Sequence, residues 1–371
     1  MANEKRFGST SKVLFVLALI GAASICYAPG KWLEICILMA LSYANNAAYS
    51  MVSRSAVRDN ATYHAFTMLL SNVVWYSVLH FLVMENMSLV LFVPYTVATV
   101  WGSFTGAKAS MRIEKAFGIT TNPEQKKPSP KSLLAKRALF AVLGVLCVVV
   151  VIREHNLFAS LTIAGMVFAA DVGFSLLRRS RNTSNTTYHI VASLAYSSIW
   201  YALWGHLSLK GLPVALFAPY CFGSVSGALF GQHASQWFER KIGATADAHL
   251  SANTKDMIPW KAIAFLTAVI VTFACFAKNP SFLLLLAGLS GAQQIAFSLV
   301  SRSRNRINMT YHVLASCFSN SIWFLTFREL QVKQWTPDLY IPYAAGAAIG
   351  SVTGVVSSMA IEKKLHVTSE A

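Results

Sequence analysis

Apolar stretches close to the ~20 residues that cross a lipid bilayer alternate with short polar segments along almost the whole chain. The pattern is typical of an all-α, polytopic membrane protein. It predicts twelve transmembrane helices, at 12–28, 32–52, 61–83, 88–115, 136–153, 157–178, 186–206, 212–240, 260–277, 280–300, 309–328 and 337–363.

One polar segment recurs three times. It reads S-R-S-A-V-R-D-N-A-T-Y-H at 53–64, R-S-R-N-T-S-N-T-T-Y-H at 179–189 and S-R-S-R-N-R-I-N-M-T-Y-H at 301–312. Corresponding positions lie 125 residues apart between the first two copies and 123 between the last two. Such periodicity indicates one structural unit in triplicate.

We therefore predict three membrane repeats, at 1–118, 136–243 and 260–371, joined by cytoplasmic linkers at 119–135 and 244–259. Each repeat has four predicted helices, so the chain would return to the same membrane face after each one. The repeats would be parallel, and they would be related by a pseudo-threefold axis along the membrane normal.

Composition supports the membrane class. The chain is 55% hydrophobic and 12% charged, with a mean hydropathy of +0.50, whereas soluble domains carry about 25% charged residues. The lipid bilayer is thus the expected partner.

The net charge of +16 fits the excess of Lys and Arg on the cytoplasmic side of membrane proteins. With both termini in the cytoplasm, most basic residues fall inside. The exceptions are Lys31, Arg153, Lys210, Lys278, Arg328 and Lys333. This distribution favours a membrane-surface role for the charge over nucleic-acid binding, and it makes anionic lipid a candidate partner.

Two matched polar positions flank the start of the third helix of each repeat. Asn60, Asn185 and Asn308 are expected to cap that helix. Arg54, Arg179 and Arg302 end the preceding helix, where a cation suits the helix dipole and anchors at the headgroups. Alternatively, three Arg around one axis would form a cytoplasmic vestibule that concentrates anions.

The histidines of the repeated segment are His64, His189 and His312. They would lie in the same vestibule, and we expect each to form hydrogen bonds within its own repeat. A three-nitrogen metal site or a proton relay on the axis is the alternative.

Each fourth helix carries a G-x-x-x-G pair, the pattern of close helix contacts. The pairs are Gly102 and Gly106, Gly227 and Gly231, and Gly350 and Gly354. They predict tight packing of the fourth helix on a neighbour.

Matched polar residues also lie within the second helices, at Asn46, Asp171 and Gln294. Polar groups at membrane depth normally face a cavity or a partner. They are the predicted solute pathway, with an interhelical hydrogen bond as the alternative.

No motif in the sequence indicates an enzyme, a cofactor or a bound metal ion. A Walker loop, an H-E-x-x-H pair and a nucleophile elbow are all absent from the sequence.

The second repeat contains D-V-G-F-S-L-L-R-R-S-R-N, then S-S-I-W-Y, then A-P-Y-C-F-G-S-V-S-G-A-L-F-G and F-E-R-K-I-G. This unit resembles the membrane unit of uncharacterised bacterial proteins that usually carry a YitT-type cytosolic C-terminal domain. The resemblance covers about three helices of each repeat. It implies a helical membrane fold and a bacterial or phage inner membrane, but no activity. The chain differs by repeating the unit three times without the cytosolic domain.

The sequence thus favours a channel or secondary transporter for a small solute, with an anion as one candidate. The alternative is a non-transporting scaffold that recruits a partner or anionic lipid through its basic cytoplasmic face. The sequence does not indicate an oligomeric state.

Overall fold

A computed structural model describes residues 30–55, 61–117, 157–180, 185–243, 259–303 and 309–364, with isolated helical positions at 15–23 and 138–149. All regular secondary structure in these ranges is helical, so the all-α prediction is confirmed there. The predicted helices at 12–28 and 136–153 lie outside the described residues except for those isolated positions. The two linkers also lie outside them, apart from Pro259.

The described residues form ten α-helices. They are α1 (Trp32–Ser55), α2 (Ala61–Met84), α3 (Phe92–Phe117), α4 (Leu157–Ser180), α5 (Thr186–Leu209), α6 (Phe217–Ile242), α7 (Trp260–Cys275), α8 (Pro280–Ser303), α9 (Met309–Val332) and α10 (Tyr340–Lys364). In terms of the predicted repeats, α1, α4 and α8 are second helices, α2, α5 and α9 are third helices, and α3, α6 and α10 are fourth helices.

Six stretches are long and apolar enough to cross a membrane: Trp32–Ser55, Tyr63–Met84, Leu89–Ala116, Leu157–Ser180, Pro280–Ser303 and Pro337–Lys364. The described chain therefore has the multi-pass helical character of a membrane protein. Helices α5, α6 and α9 coincide with predicted spans but are not among the six. The count of twelve spans stays a prediction.

Each third helix ends in the same tight turn. Two successive residues with positive φ follow it, Asn86 and Met87 after α2, Gly211 and Leu212 after α5, and Gln334 and Trp335 after α9. A 3₁₀ turn then leads into the fourth helix. The second of the two residues has a buried side chain in every case. The turn thus inserts one side chain into the core, and the chain tolerates an uncommon backbone conformation to do so.

The start of α5 has the predicted cap. The side-chain oxygen of Asn185 accepts a hydrogen bond from the backbone N–H of Tyr188 at 2.9 Å. The prediction for Asn185 is confirmed, while Asn60 and Asn308 lie outside the described residues.

The chain divides into two compact units. The first comprises Met1–Phe168, Gly211–Leu229 and Asn308–Asn320, and the second comprises Ala169–Lys210, Phe230–Ile307 and Ser321–Ala371. In the first unit α1 packs along α2 and α3. In the second unit α10 packs along α8, α5 and α7. Small buried residues of α10, such as Ala345 and Ala348, allow these helices to approach closely.

Candidate functional site

The Arg that ends each second helix forms an ion pair with a Glu of the fourth helix in the same repeat. In the first unit, Arg54 Nε and Nη2 donate to the two carboxylate oxygens of Glu114 at 3.1 and 2.9 Å. In the second unit, Arg302 donates in the same way to Glu362 at 3.0 and 2.7 Å. Two parallel N–H···O bonds are the strongest geometry that a guanidinium offers a carboxylate.

The pair formed by Arg179 and Glu239 has the same geometry, with Nη2 donating at 2.6 Å. It is the most open of the three: 30% of the Arg179 side chain is exposed, against 3% of Arg54 and 11% of Arg302. Each guanidinium is therefore held by a carboxylate. The predicted anion vestibule would have to form around these neutralised pairs, and it stays a prediction.

Close helix contact brings each Arg to its Glu. All six glycines of the G-x-x-x-G pairs lie against the second helix of the same repeat. A Cβ on Gly102 would overlap the backbone carbonyl of Tyr43, and a Cβ on Gly350 would overlap the backbone of Gly291. Gly106, Gly227, Gly231 and Gly354 face α1 or α4 or α8 in the same manner. Second and fourth helices thus run in parallel with their backbones in contact.

The three histidines are buried. The ring nitrogen Nδ1 of His64 lies 2.9 Å from the Ser55 hydroxyl, and Nδ1 of His189 lies 2.8 Å from the Ser180 hydroxyl. Hydrogen bonding within the repeat is thus confirmed for these two residues. Nε2 of His189 also bonds the hydroxyl of Ser351, at 2.9 Å.

His312 lies in the first unit, where its Nε2 bonds Ser103 Oγ at 3.1 Å. Ser103 and Ser351 each belong to the fourth helix of a different predicted repeat, so these bonds join segments that are far apart in the sequence. No group of three His, Cys, Asp or Glu side chains that could hold a metal ion occurs in the described part of the chain.

The predicted pathway residues are distributed over both units. Asn46 is buried in the first unit, where its Nδ2 donates to the backbone carbonyl of Ser42 at 3.3 Å. Gln294 is buried in the second unit, and Asp171 is half-buried there. All three lie on second helices, eight residues before the Arg that ends the helix.

Unsatisfied polar atoms lie beside these residues. Asn45 is 5% exposed and Gln293 is 9% exposed, and they occupy corresponding positions of α1 and α8. Neither Asn45 Oδ1 nor Gln293 Oε1 has a hydrogen-bond partner among the described residues. The hydroxyl of Ser42, one turn before Asn45, is also without one. A buried polar atom left unpaired costs about 1–3 kcal/mol, so these atoms require an explanation.

Two of the third helices, α2 and α5, are anchored to the turn before the fourth helix of the following predicted repeat. In the first unit, the Tyr76 hydroxyl donates to the carbonyl of Pro213 at 2.7 Å. In the second unit, the Tyr201 hydroxyl donates to the carbonyl of Thr336, also at 2.7 Å. Tyr76 and Tyr201 correspond in the repeat, as do Pro213 and Thr336. Sequence reasoning did not find this contact.

The geometry defines a helical membrane protein whose second helices carry buried polar groups. Comparison with known protein families, with curated proteins and with solved structures gave no match.

Proposed function

We propose that the chain forms a membrane passage, a channel or a secondary transporter, for a small polar solute. Asn46, Asp171 and Gln294 would line it. The observation that carries the proposal is the pair of unpaired amide oxygens at Asn45 and Gln293. Buried polar groups are otherwise almost always hydrogen-bonded in native proteins, so a hydrated pathway would supply the missing partners as water or solute.

The proposal includes a pseudo-threefold arrangement of the three repeats. It is supported by the matched contacts from Tyr76 to Pro213 and from Tyr201 to Thr336, and by the bond between His312 and Ser103. These contacts join the third helix of one repeat to the fourth-helix segment of another.

The orientation with cytoplasmic termini, in a bacterial or phage inner membrane, belongs to the same proposal. The last turns of the described second and fourth helices are basic. If these ends face the cytoplasm, the distribution follows the positive-inside rule, and the basic rim would contact anionic lipid.

A scaffold without a transported solute is the second candidate. It is favoured by the close backbone contact at the G-x-x-x-G pairs and by the ion-paired state of Arg54, Arg179 and Arg302. Both features describe dry, tightly packed helix pairs. The two functions differ in whether water reaches the second helices.

Thiol labelling tests the proposal. The six native cysteines are replaced, and Asn46→Cys, Asp171→Cys and Gln294→Cys variants are treated in membranes with a small charged methanethiosulfonate reagent. Leu38→Cys and Leu286→Cys serve as matched controls on α1 and α8, because both side chains are apolar and fully buried.

If the passage exists, the three polar positions react and the two leucine positions do not. If all five stay unreacted while a cysteine in a cytoplasmic linker reacts, the second helices are dry and the scaffold is the better description.

A further inference from the structure

We infer that the solute of this passage presents hydrogen-bond donors, as an ammonium, amide or hydroxyl group, and that it is not an anion. The inference rests on the proposed function, and it names the class of solute that the buried groups would accept. It rests on the unpaired amide oxygens of α1 and α8 and on the carboxylate of α4, each considered within its own helix.

The first observation concerns the positive charges. The sequence predicted an anion vestibule formed by Arg54, Arg179 and Arg302. Each one donates two hydrogen bonds or more to a carboxylate. An anion that used the same N–H groups would have to displace that carboxylate, which is covalently fixed in place and for Arg54 almost fully buried. Breaking one partner out of a buried ion pair is strongly unfavourable.

The second observation concerns the chemistry of the unpaired atoms. In the residues that the structure describes, the buried amides with an unsatisfied atom are Asn45, Gln232 and Gln293, and in all three that atom is the oxygen. An amide oxygen accepts hydrogen bonds and cannot donate one. A solute N–H or O–H group would satisfy it, whereas a carboxylate or phosphate oxygen would leave it unmet and add electrostatic repulsion.

The third observation concerns the acid. Asp171 lies on α4 one residue beyond the position that corresponds to Asn45 and Gln293. An ionised carboxylate accepts only, and it repels an anion at close range. The unpaired amide oxygens of Asn45 and Gln293 and the carboxylate of Asp171 are thus all hydrogen-bond acceptors.

Ser42→Cys and Ser290→Cys variants, in the background without native cysteines, test whether the site prefers a cation with N–H donors or an anion. The two serines correspond in the repeat, and each lies one turn before an unpaired amide, Asn45 or Gln293. The substitution is nearly isosteric.

Two reagents of similar size are compared. Aminoethyl methanethiosulfonate is a cation with N–H donors, and sulfonatoethyl methanethiosulfonate is an anion. Each rate is divided by the rate with a free thiol in the same high-salt buffer, which screens the membrane surface charge.

We expect the normalised rate of the aminoethyl reagent to exceed that of the sulfonatoethyl reagent by about tenfold, which corresponds to ~1.4 kcal/mol. Adding Asn45→Leu to Ser42→Cys should bring the ratio towards one, while the Ser290→Cys variant with Asn45 replaced keeps its ratio. Elution of each variant as a single size-exclusion peak confirms that it has folded.

Faster reaction of the sulfonatoethyl reagent, or equal rates for both, overturns the inference but leaves the passage standing, because the site is then wet without the expected preference. Absence of reaction with either reagent, at both positions, contradicts the passage itself, and the inference falls with it.

Discussion

The first and second units anchor a third helix in the same way and surround the anchor with different chemistry. Both have a Tyr hydroxyl bonded to a backbone carbonyl of the following turn, Tyr76 to Pro213 and Tyr201 to Thr336. In the first unit, His80 Nδ1 also bonds the carbonyl of Leu212 at 3.0 Å. In the second unit the residue at the position of His80 is Gly205, and the residue at the position of Leu212 is Trp335.

The residues at these two positions depend on each other sterically. A Cβ on Gly205 would lie 3.3 Å from the Cβ of Trp335, so the indole fits because the facing residue has no side chain. Trp335 then packs against Trp200, Tyr201 and Phe327, with ring centroids 5.2 to 6.0 Å apart. In the first unit, His80 stands at the position of Gly205 and forms a hydrogen bond instead.

A second exchange follows the same logic. Asn72 Nδ2 donates to Ser224 Oγ at 2.7 Å in the first unit. The corresponding residues in the second unit are Ser197 and Ala347, both fully buried, and the Ser197 hydroxyl has no partner within the described ranges. The tyrosine anchor thus fixes the geometry of the contact in both units, whereas the neighbouring residues change in matched pairs.

The largest expected effect comes from removing the aromatic residue of the second unit. Trp335→Ala would leave a cavity among three rings, and we expect a loss of about 3–5 kcal/mol in the free energy of unfolding. The matched variant Leu212→Ala in the first unit should cost less, about 2–3 kcal/mol. Apparent melting temperatures in one detergent measure both. A larger loss for Leu212→Ala would contradict the assignment of the stronger packing to the second unit.

The steric coupling can be tested by converting one contact into the other. Gly205→His alone overfills the space beside Trp335, at a cost of about 1–3 kcal/mol. Adding Trp335→Leu should restore part of the stability, with a coupling of about 0.5–3 kcal/mol in the double-mutant cycle. Strict additivity of the two single losses would show that the residues do not interact.

The shared anchor should respond alike in both units. Tyr76→Phe and Tyr201→Phe each delete one hydrogen bond to a backbone carbonyl without changing the ring. We expect about 1 kcal/mol for each, measured as the shift in melting temperature on the same scale. If only one of the two variants is destabilised, the anchor is not the common element of the two contacts.

The smallest effect is expected at Ser197. Its hydroxyl is buried without a described partner, so Ser197→Ala deletes no described hydrogen bond and removes an unpaired polar group. The melting temperature should therefore stay the same or rise slightly. Ser224→Ala serves as the contrast, because it removes the partner of Asn72 and should lower the melting temperature. A clear fall in the melting temperature of Ser197→Ala would contradict this expectation and indicate that the hydroxyl forms a hydrogen bond to water.

Much of the fold could be predicted because it is encoded locally. Apolar length located the ten described helices, and the Asn before α5 marked its start. Helix ends were less accurate: α5 and α9 continue to Leu209 and Val332, beyond the bounds at 206 and 328. Polar residues near the ends of these helices interrupt the apolar pattern, so the predicted ends fell short of the observed ones.

The partners of Arg54, Arg179 and Arg302 were missed for a different reason. Each Glu lies 60 residues after its Arg, so no local pattern joins them. The pairing requires that second and fourth helices run side by side, which the glycines permit but do not specify. The constant spacing of 60 residues in all three copies was the available signal. The unpaired oxygens of Asn45 and Gln293 could not be predicted, because they depend on side-chain packing.

The spacing between Arg54 and Glu114 also orders events during synthesis. The ribosome makes the carboxylate 60 residues after the guanidinium, which at 5–20 residues per second is a delay of roughly 3–12 s. During that interval Arg54 exists without Glu114, because the segment from α2 to the last turns of α3 is still being made. Arg54 ends its helix, so its long side chain can remain in the headgroup layer until the acid arrives. The second helix would therefore enter the membrane before Arg54 has its carboxylate partner. The ion pair can form only after the fourth helix has been made.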